Sequence, residues 1–258
     1  MTRVVLVGAA GRMGRAVAQA LADAPGLTLK ARIETQEVPV PGDGGPPWSH
    51  ELSPVVDRGD VVVEFSSPAG AVAAARVCAE RGAGLVSGTT GLDEAGEQAM
   101  RDAAARTAIL RSANFSLGIV ALRRALASVL AVLPDGWDIE IVERHHRGKQ
   151  DAPSGTALLL GREAAERRGY PDVALRTGRS VRTGTRPQAE IAIHSLRGGT
   201  WTGDHSVVIA GPGEWLELRH VAEDRAAFAH GALAAARFIA AAPPGLYTLD
   251  EVSGAAAR

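Results

Sequence analysis

His145 and His146 stand side by side, Lys149 follows three residues later, and Asp151, Ser154 and Thr156 continue the run. So many titratable and hydroxyl groups within residues 143–157 make poor core material, because each would need a buried partner. They suit a site that holds a small anion and moves protons. An imidazole near its ordinary pKa can give or take a proton at pH 7, and the Lys149 ammonium can grip a carboxylate. The Asp151-Ala152-Pro153-Ser154-Gly155 stretch reads as the entry to a helix over residues 156–168. Ser or Asp would cap it, Pro153 would lie near its first turn and Gly169 would end it. The amides of Gly155 and Thr156 then point at whatever occupies the loop. His145 and His146 follow a strand expected at residues 139–142. Neighbouring strand side chains face opposite ways, so both serve one site only where the chain leaves the sheet. Metal binding is the rival use of a His pair. No third His, Cys or carboxylate stands at ligand spacing, and adjacent histidines rarely chelate one ion, so no metal is expected. A solvated basic loop is the plainer alternative.

A second constellation opens the chain: Gly8-Ala9-Ala10-Gly11-Arg12-Met13-Gly14, after the apolar run at residues 4–7. A strand, a glycine turn and a helix start leave backbone N–H groups and the positive end of a helix dipole free for a pyrophosphate. The spacing is Gly-x-x-Gly-x-x-Gly, with Ala10 where the commoner fingerprint has its middle glycine. Glu34 ends the second expected strand, where a carboxylate would accept hydrogen bonds from the adenosine ribose. Thr35 and Gln36 follow it with no adjacent arginine, which leans towards NADH; Arg12 and Arg32 leave room for NADPH. Gly88-Thr89-Thr90-Gly91 and Ser112-Ala113-Asn114-Phe115 both follow expected strands. Strand carboxyl ends line the ligand crevice of an open α/β sheet, so these loops could meet the nicotinamide and its ribose. Ordinary turns would share all of these spacings.

The elements that must carry these groups alternate. Strands are expected at residues 4–7, 27–33, 61–65, 85–87 and 108–110, and helices at 12–23, 69–81 and 93–106. Short continuous apolar runs suit strands buried on both faces. Residues 36–50, rich in Pro and Gly, read as loop. After Asn114 the pattern changes to a long apolar helix at 117–133, one helix at 156–168, and strands at 139–142, 190–194, 206–209 and 215–220. Residues 182–188 read as exposed loop. Few crossover helices among several strands imply a mixed or antiparallel sheet. A final helix is expected at 225–242. The fold class is α/β: a Rossmann-type parallel-sheet domain over residues 1–114 and 225–258, and an α+β domain over 115–224.

The 258 residues, 46% hydrophobic and 22% charged, are ordinary for globular protein. A net charge of −1 argues against bulk attraction to nucleic acid or membrane. No apolar run approaches about 18 residues, so no membrane span is expected. The first residues lack a secretory signal pattern, and the single cysteine, Cys78, permits no internal disulfide and reads as a small core residue. A cytoplasmic protein is expected.

Taken together these segments resemble the 4-hydroxy-tetrahydrodipicolinate reductase (dihydrodipicolinate reductase) family over nearly the full length. The resemblance rests on the 8–14 loop, Phe65-Ser66-Ser67-Pro68, Gly88-Thr89-Thr90-Gly91, Ala113-Asn114-Phe115-Ser116, and residues 143–157, which match the family form E-x-H-H-x-x-K-x-D-A-P-S-G-T-A. Arg197-Gly198-Gly199, Gly203 and His205 look like its later motif. Ser66 stands where the family often has Thr, and the residue after Glu34 is not basic. The resemblance implies a Rossmann domain completed by the C-terminal helix, an inserted substrate and tetramerisation domain, and NADH or NADPH as cofactor. It implies pyrophosphate on Gly8, Ala9, Ala10, Gly11, Arg12 and Met13, ribose on Glu34, and nicotinamide near Gly88, Thr89, Thr90, Ser112, Ala113, Asn114 and Phe115. His145 would donate or accept a proton, and Lys149 would be a second donor or a clamp. His146, Ser154, Gly155 and Thr156 would hold a small cyclic dicarboxylate.

Two readings compete. Another Rossmann reductase, acting on an amino acid, imino acid or sugar, would keep the roles of the 8–14 loop and Glu34. A non-catalytic NAD(P)-sensing module would bind cofactor without turnover and would leave the cluster from His145 to Lys149 unexplained.

Overall fold

A computed structural model describes residues 1–35, 44–171, 174–180, 182 and 184–255 of the chain. Two compact units result, one comprising Met1–Leu117 with Arg225–Arg258 and the other Gly118–Asp224.

The first unit holds a parallel sheet of strands β1 (Thr2–Val7), β2 (Leu27–Ile33), β3 (Trp48–Ser49), β4 (Val61–Glu64), β5 (Gly84–Ser87) and β6 (Ala108–Arg111). Its helices are α1 (Arg12–Ala22), α2 (Pro68–Arg81) and α3 (Glu94–Ala104). The spatial order β3-β2-β1-β4-β5-β6 is that of a doubly wound dinucleotide fold, with the switch point between β1 and β4. The strands are Val- and Leu-rich because helices cover both faces. Val5, Val62, Leu85 and Ile109 pack with Ala71, Ala74 and Ala75 of α2 and Met100 of α3. Chain-order signals stop the helices where expected. Ser67 accepts the Gly70 amide to cap α2, Gly82 ends that helix at φ +69, and Asp93 caps α3 on Gly96. Cys78 is a buried residue of this core, and burial raises its thiol pKa.

The second unit begins within α4 (Leu117–Leu130) and contains β7 (Asp138–His145), α5 (Gly155–Arg168), β8 (Leu175–Thr177), β9 (Ile191–Arg197), β10 (Gly203–Gly211) and β11 (Glu214–Ala222). The sheet order is β11-β10-β7-β9-β8. It is mixed: β10 runs antiparallel to β7 and β11, whereas β7, β9 and β8 are mutually parallel. One face is apolar, with Ile139, Ile141, Ile191, Ile193, Val207 and Ile209 against Leu122 and Leu126 of α4 and Ala157, Leu160 and Ala164 of α5. Trp215 and Val221 on edge strand β11 remain exposed.

The chain then returns to the first unit as α6 (Ala226–Ile239), β12 (Gly245–Tyr247) and α7 (Leu249–Ala255). There α6 packs on α1, and β12 extends the sheet beside β6.

Several boundaries differ from those read in the sequence. The strand expected at residues 139–142 extends to His145, because Glu143 and His145 continue its inward-facing alternation. The helices expected at 117–133 and 225–242 are shorter at their ends. Within the region read as loop, Trp48–Ser49 pairs with Arg32–Ile33, and the Arg32 guanidinium lies 4.4 Å over the Trp48 ring. Residues 36–43 of that loop, and residue 183 of the loop read at 182–188, lie outside the described residues. Strands β8 and β12 span three residues each, too few for a periodic signal.

Candidate active site

In the first unit the sequence after β1 turns at Gly8, whose φ is +74 and whose added Cβ would lie 2.2 Å from the carbonyl oxygen of Phe65. Only glycine fits. Gly14 is held as closely, since a Cβ there would meet the Gly8 oxygen at 2.2 Å. Gly11 caps α1 without a side-chain acceptor, so no cap side chain occupies the first-turn amides. The Glu34 carboxylate folds back onto this loop, with Oε2 accepting the Ala10 amide at 3.0 Å and Oε1 the Thr35 amide at 3.1 Å. Gly11, Arg12, Met13, Phe65, Ser66, Pro68, Gly88, Thr89, Thr90 and Arg225 line a cavity of about 330 Å³ at these strand ends.

The remaining predicted cofactor residues follow β6, where the Ser112 amide donates to the Ser87 oxygen at 3.2 Å. The Phe65 ring lies on Gly88, where a Cβ would come within 2.1 Å of it, and meets Phe115 edge-on at 5.4 Å between centroids. Phe115 is buried, so it packs beneath the loops. Ser112 turns the next segment by donating to the Asn114 oxygen at 2.6 Å, and the Asn114 side chain accepts the Ser116 amide at 2.8 Å. Ala113 between them is exposed. Arg32 is committed to its own loop, donating through Nε and Nη2 to the Pro46 oxygen. Arg12 lies exposed at the start of α1. The glycine turn, uncapped helix and nearby carboxylate fit a dinucleotide.

In the second unit the inward face of β7 runs Ile139, Ile141, Glu143, His145, passing from apolar core to a buried polar cluster. Glu143 is fully buried and accepts from His145 Nδ1 at 2.6 Å, from Arg197 at 2.7 and 2.8 Å, and from the Ser154 amide at 3.1 Å. Burial works against its ionised form, but hydrogen bonds from Arg197, Ser195 and His145 outweigh it and hold the pKa at about 2. His145 is lowered from its usual value, by burial first and also by the charges of Lys149 and Arg197, with Glu143 opposing. His205, register partner of Glu143 on β10, meets the His145 ring edge-on at 5.2 Å. Burial, and then His145, depress it to about 4, so it is neutral at pH 7.

The loop after β7 carries the remaining predicted residues. His146 leaves the sheet, donating its amide to the Trp201 oxygen at 2.8 Å, and its ring sits beside Gly148. Lys149 reaches both carboxylate oxygens of Asp151, at 2.7 and 2.8 Å. Ser154 caps α5 by accepting the Ala157 amide at 3.2 Å, while Pro153 precedes the cap instead of entering the first turn. The space over Gly155 is open, with no heavy atom within 4 Å of a built Cβ. Thr156 follows in the first turn. Thus His145, Lys149 and the start of α5 meet at one end of the mixed sheet, with Glu143 linking β7 to the Ser154 amide. Sequence reasoning assigned no role to Glu143, Arg197 or His205. Their position beside the His pair and in the later Arg-Gly-Gly…His segment was the available signal. Among the described residues, no three His, Cys, Asp or Glu side chains form a metal-binding group. None of the described helices is long and apolar enough to cross a membrane.

Comparison with known proteins covers both parts of the chain. Residues 2–115 match the family model described as dihydrodipicolinate reductase, N-terminus, and residues 118–252 the one described as dihydrodipicolinate reductase, C-terminus. A 4-hydroxy-tetrahydrodipicolinate reductase of Rhodopseudomonas palustris (strain BisB18) is 42% identical, over 98% of this chain and 97% of that protein. One from Afipia carboxidovorans is 40% identical over 98% and 97%. Among solved structures, a dipicolinate-bound dihydrodipicolinate reductase from Paenisporosarcina sp. TG-14 shares the fold, with TM-score 0.80 and 23% identity over 97% of this chain and 99% of that one. With both halves matched in order and relatives this similar end to end, the chain belongs to the dihydrodipicolinate reductase family.

Proposed function

We propose that the chain is an NAD(P)H-dependent 4-hydroxy-tetrahydrodipicolinate reductase, forming tetrahydrodipicolinate in lysine and diaminopimelate biosynthesis. The observation that carries this reading is the convergence of His145, Lys149 and the N-terminus of α5 at one end of the mixed sheet, in a family whose members bear that name. The ring hydroxyl leaves as water, and a reduced dinucleotide, when bound, would supply the hydride. Gly8, Ala9, Ala10, Gly11, Arg12 and Met13 hold its pyrophosphate, Glu34 its ribose, and residues 88–90 and 112–115 the nicotinamide end. The substrate is a cyclic dicarboxylate. Its carboxylates take the Gly155 and Thr156 amides, the positive end of α5, His146 and Lys149 as partners. Lys149, paired with Asp151 in the free chain, exchanges that carboxylate for one on the ring. His145 moves the proton that completes reduction.

Glu34 favours NADH over NADPH, because its carboxylate repels a 2′-phosphate and Arg32 is directed to Pro46. The exposed side of the mixed sheet, with Trp215 and Val221 at its edge, suits assembly into a homotetramer. A cytoplasmic location fits such a biosynthetic role.

The test follows NADH oxidation with freshly made dihydrodipicolinate synthase product. His145→Gln and Lys149→Ala should each lose roughly 10² or more in rate, with NADH binding nearly unchanged. Full activity in either variant removes that residue from the mechanism.

A further inference from the structure

We infer that Glu143 is a positioning residue that fixes the tautomer of His145, and that Arg197 holds Glu143 in place for it. The inference rests on the proposed role of His145 in proton transfer.

An ionised carboxylate only accepts hydrogen bonds. With Glu143 Oε2 at 2.6 Å, Nδ1 of a neutral His145 must therefore carry the proton. Nε2 is left as the nitrogen that exchanges a proton with substrate. It faces Gly203, where even a Cβ would stand 3.3 Å away, so the absence of a side chain keeps that approach clear.

The carboxylate is itself immobilised. Arg197 grips it with a two-pronged contact, Nη1 to Oε2 at 2.8 Å and Nη2 to Oε1 at 2.7 Å. The Ser154 amide adds a third donor. Such forked pairs fix orientation as well as charge. Arg197 Nη2 also donates to the Asp151 oxygen at 2.6 Å, and the Asp151 side chain holds Lys149. One guanidinium from β9 therefore ties the strand bearing His145 to the loop bearing Lys149.

Among the described residues, the charged and titratable groups that act most on His145 are Glu143 on its own strand, Arg197 from β9, His205 from β10 and Lys149 from the loop. Glu143 is the only anion among them. In Glu143→Gln that counterweight disappears. Arg197 and the Ser154 amide retain the side-chain oxygen, which turns the amide NH2 towards Nδ1. A donor there drives the imidazole proton to Nε2 and opposes a second proton on Nδ1, so the imidazolium that would hand its Nε2 proton to the ring is disfavoured.

Two measurements test this. In the wild-type chain, 15N NMR of the imidazoles, with the His145 signal assigned by its loss in His145→Gln, should show neutral His145 protonated at Nδ1. A proton on Nε2 overturns the proposal, and this reading needs no turnover. In steady-state kinetics, Glu143→Gln should lose on the order of 10² in kcat with little change in either KM. The limb of its pH–rate profile belonging to His145 should move to lower pH. Wild-type kcat and an unmoved limb overturn it. Should Glu143→Gln not fold, the wild-type tautomer decides. A wild-type chain that never reduces the substrate sinks the proposed function instead, and the NMR result still stands by itself.

Discussion

The hydroxyl of Ser154 lies 2.9 Å from Nε2 of His205 and also accepts the Ala157 amide at 3.2 Å. One oxygen thus caps α5 and anchors an imidazole on β10. His205 is only 4% exposed, and its Nδ1 is buried without a hydrogen-bond partner among the described residues. Burial first, and then the neighbouring His145, disfavour charging this ring, so its pKa falls to about 4.

That depression has a consequence for stability. The unfolded chain titrates His205 near the ordinary 6.5, the folded chain near 4. Between those values the unfolded state binds a proton that the folded state refuses, so stability falls as pH drops through that window. Lowering the pH from 7 to 5 should cost about 2 kcal/mol through this group. His145 and His220, lowered in the same direction, add to it. Urea unfolding at the two pH values checks this: His205→Gln should shrink the difference by about 2 kcal/mol. An equal loss in wild type and variant would refute the assignment.

Glu34 supports a prediction about cofactor choice. Its Oε2 sits on the Ala10 amide at the glycine turn, and the Arg32 guanidinium is held by Pro46 and Trp48. Glu34→Ala should weaken NADH and relieve the repulsion of a 2′-phosphate together. The ratio of kcat/KM values for NADH over NADPH should fall by about tenfold or more, the worth of one charge-assisted hydrogen bond. An unchanged ratio would detach Glu34 from cofactor selection.

The parallel sheet was readable because strands covered on both faces become continuous apolar runs, as at Val61–Glu64, and because glycine and capping residues punctuate the helices. The end of β7 was harder to read. Glu143 and His145 look polar and hence loop-like, but they occupy the inward face of the strand because Arg197, 54 positions from Glu143, neutralises the carboxylate there. A partner so distant in sequence leaves no local pattern. Likewise His205 finds Ser154 across 51 positions. Trp48 was hidden among prolines and glycines, and its pairing with β2 depends on tertiary contact with Arg32. Local chemistry was therefore visible, whereas the long-range contacts that orient it were not.

Gly231 on α6 offers a packing test inside the first unit. A Cβ there would stand 1.7 Å from the Phe115 carbonyl oxygen, a backbone atom that cannot swing aside. Gly231→Ala should therefore force α6 off the segment after β6 and destabilise the unit by about 3 kcal/mol, despite the better helix propensity of alanine. Gly136 is the contrast: nothing lies within 4 Å of its built Cβ and its φ is not positive, so Gly136→Ala should be nearly neutral. Thermal unfolding of the two variants side by side checks both. A neutral Gly231→Ala would show that helix and loop separate more easily than their contact implies.

Glu64 yields the sharpest pair of substitutions. This carboxylate is fully buried at the end of β4, and its partners are mostly hydroxyls. Oε1 accepts from the Ser66 amide and hydroxyl, both at 2.6 Å, and from Thr89 Oγ1 at 2.7 Å, while Oε2 accepts from Ser87 Oγ at 2.7 Å. It therefore latches the Ser66 turn to the Gly88-Thr89 turn, both of which line the cavity beside α1. Glutamine can reproduce this arrangement: its oxygen replaces Oε1, and its NH2 donates to Ser87 Oγ, whose own proton is free to turn elsewhere. Alanine cannot: it leaves the buried Ser87 hydroxyl without its acceptor, at about 1–3 kcal/mol, and releases the Ser66 hydroxyl and Thr89 from their shared anchor. Glu64→Gln should thus keep near wild-type stability and cofactor affinity. Glu64→Ala should lower the melting temperature and raise the dissociation constant for NADH, read by fluorescence titration, by about tenfold or more. Equal behaviour of the two variants would mean that the negative charge itself, rather than the hydrogen-bond geometry, holds these turns together.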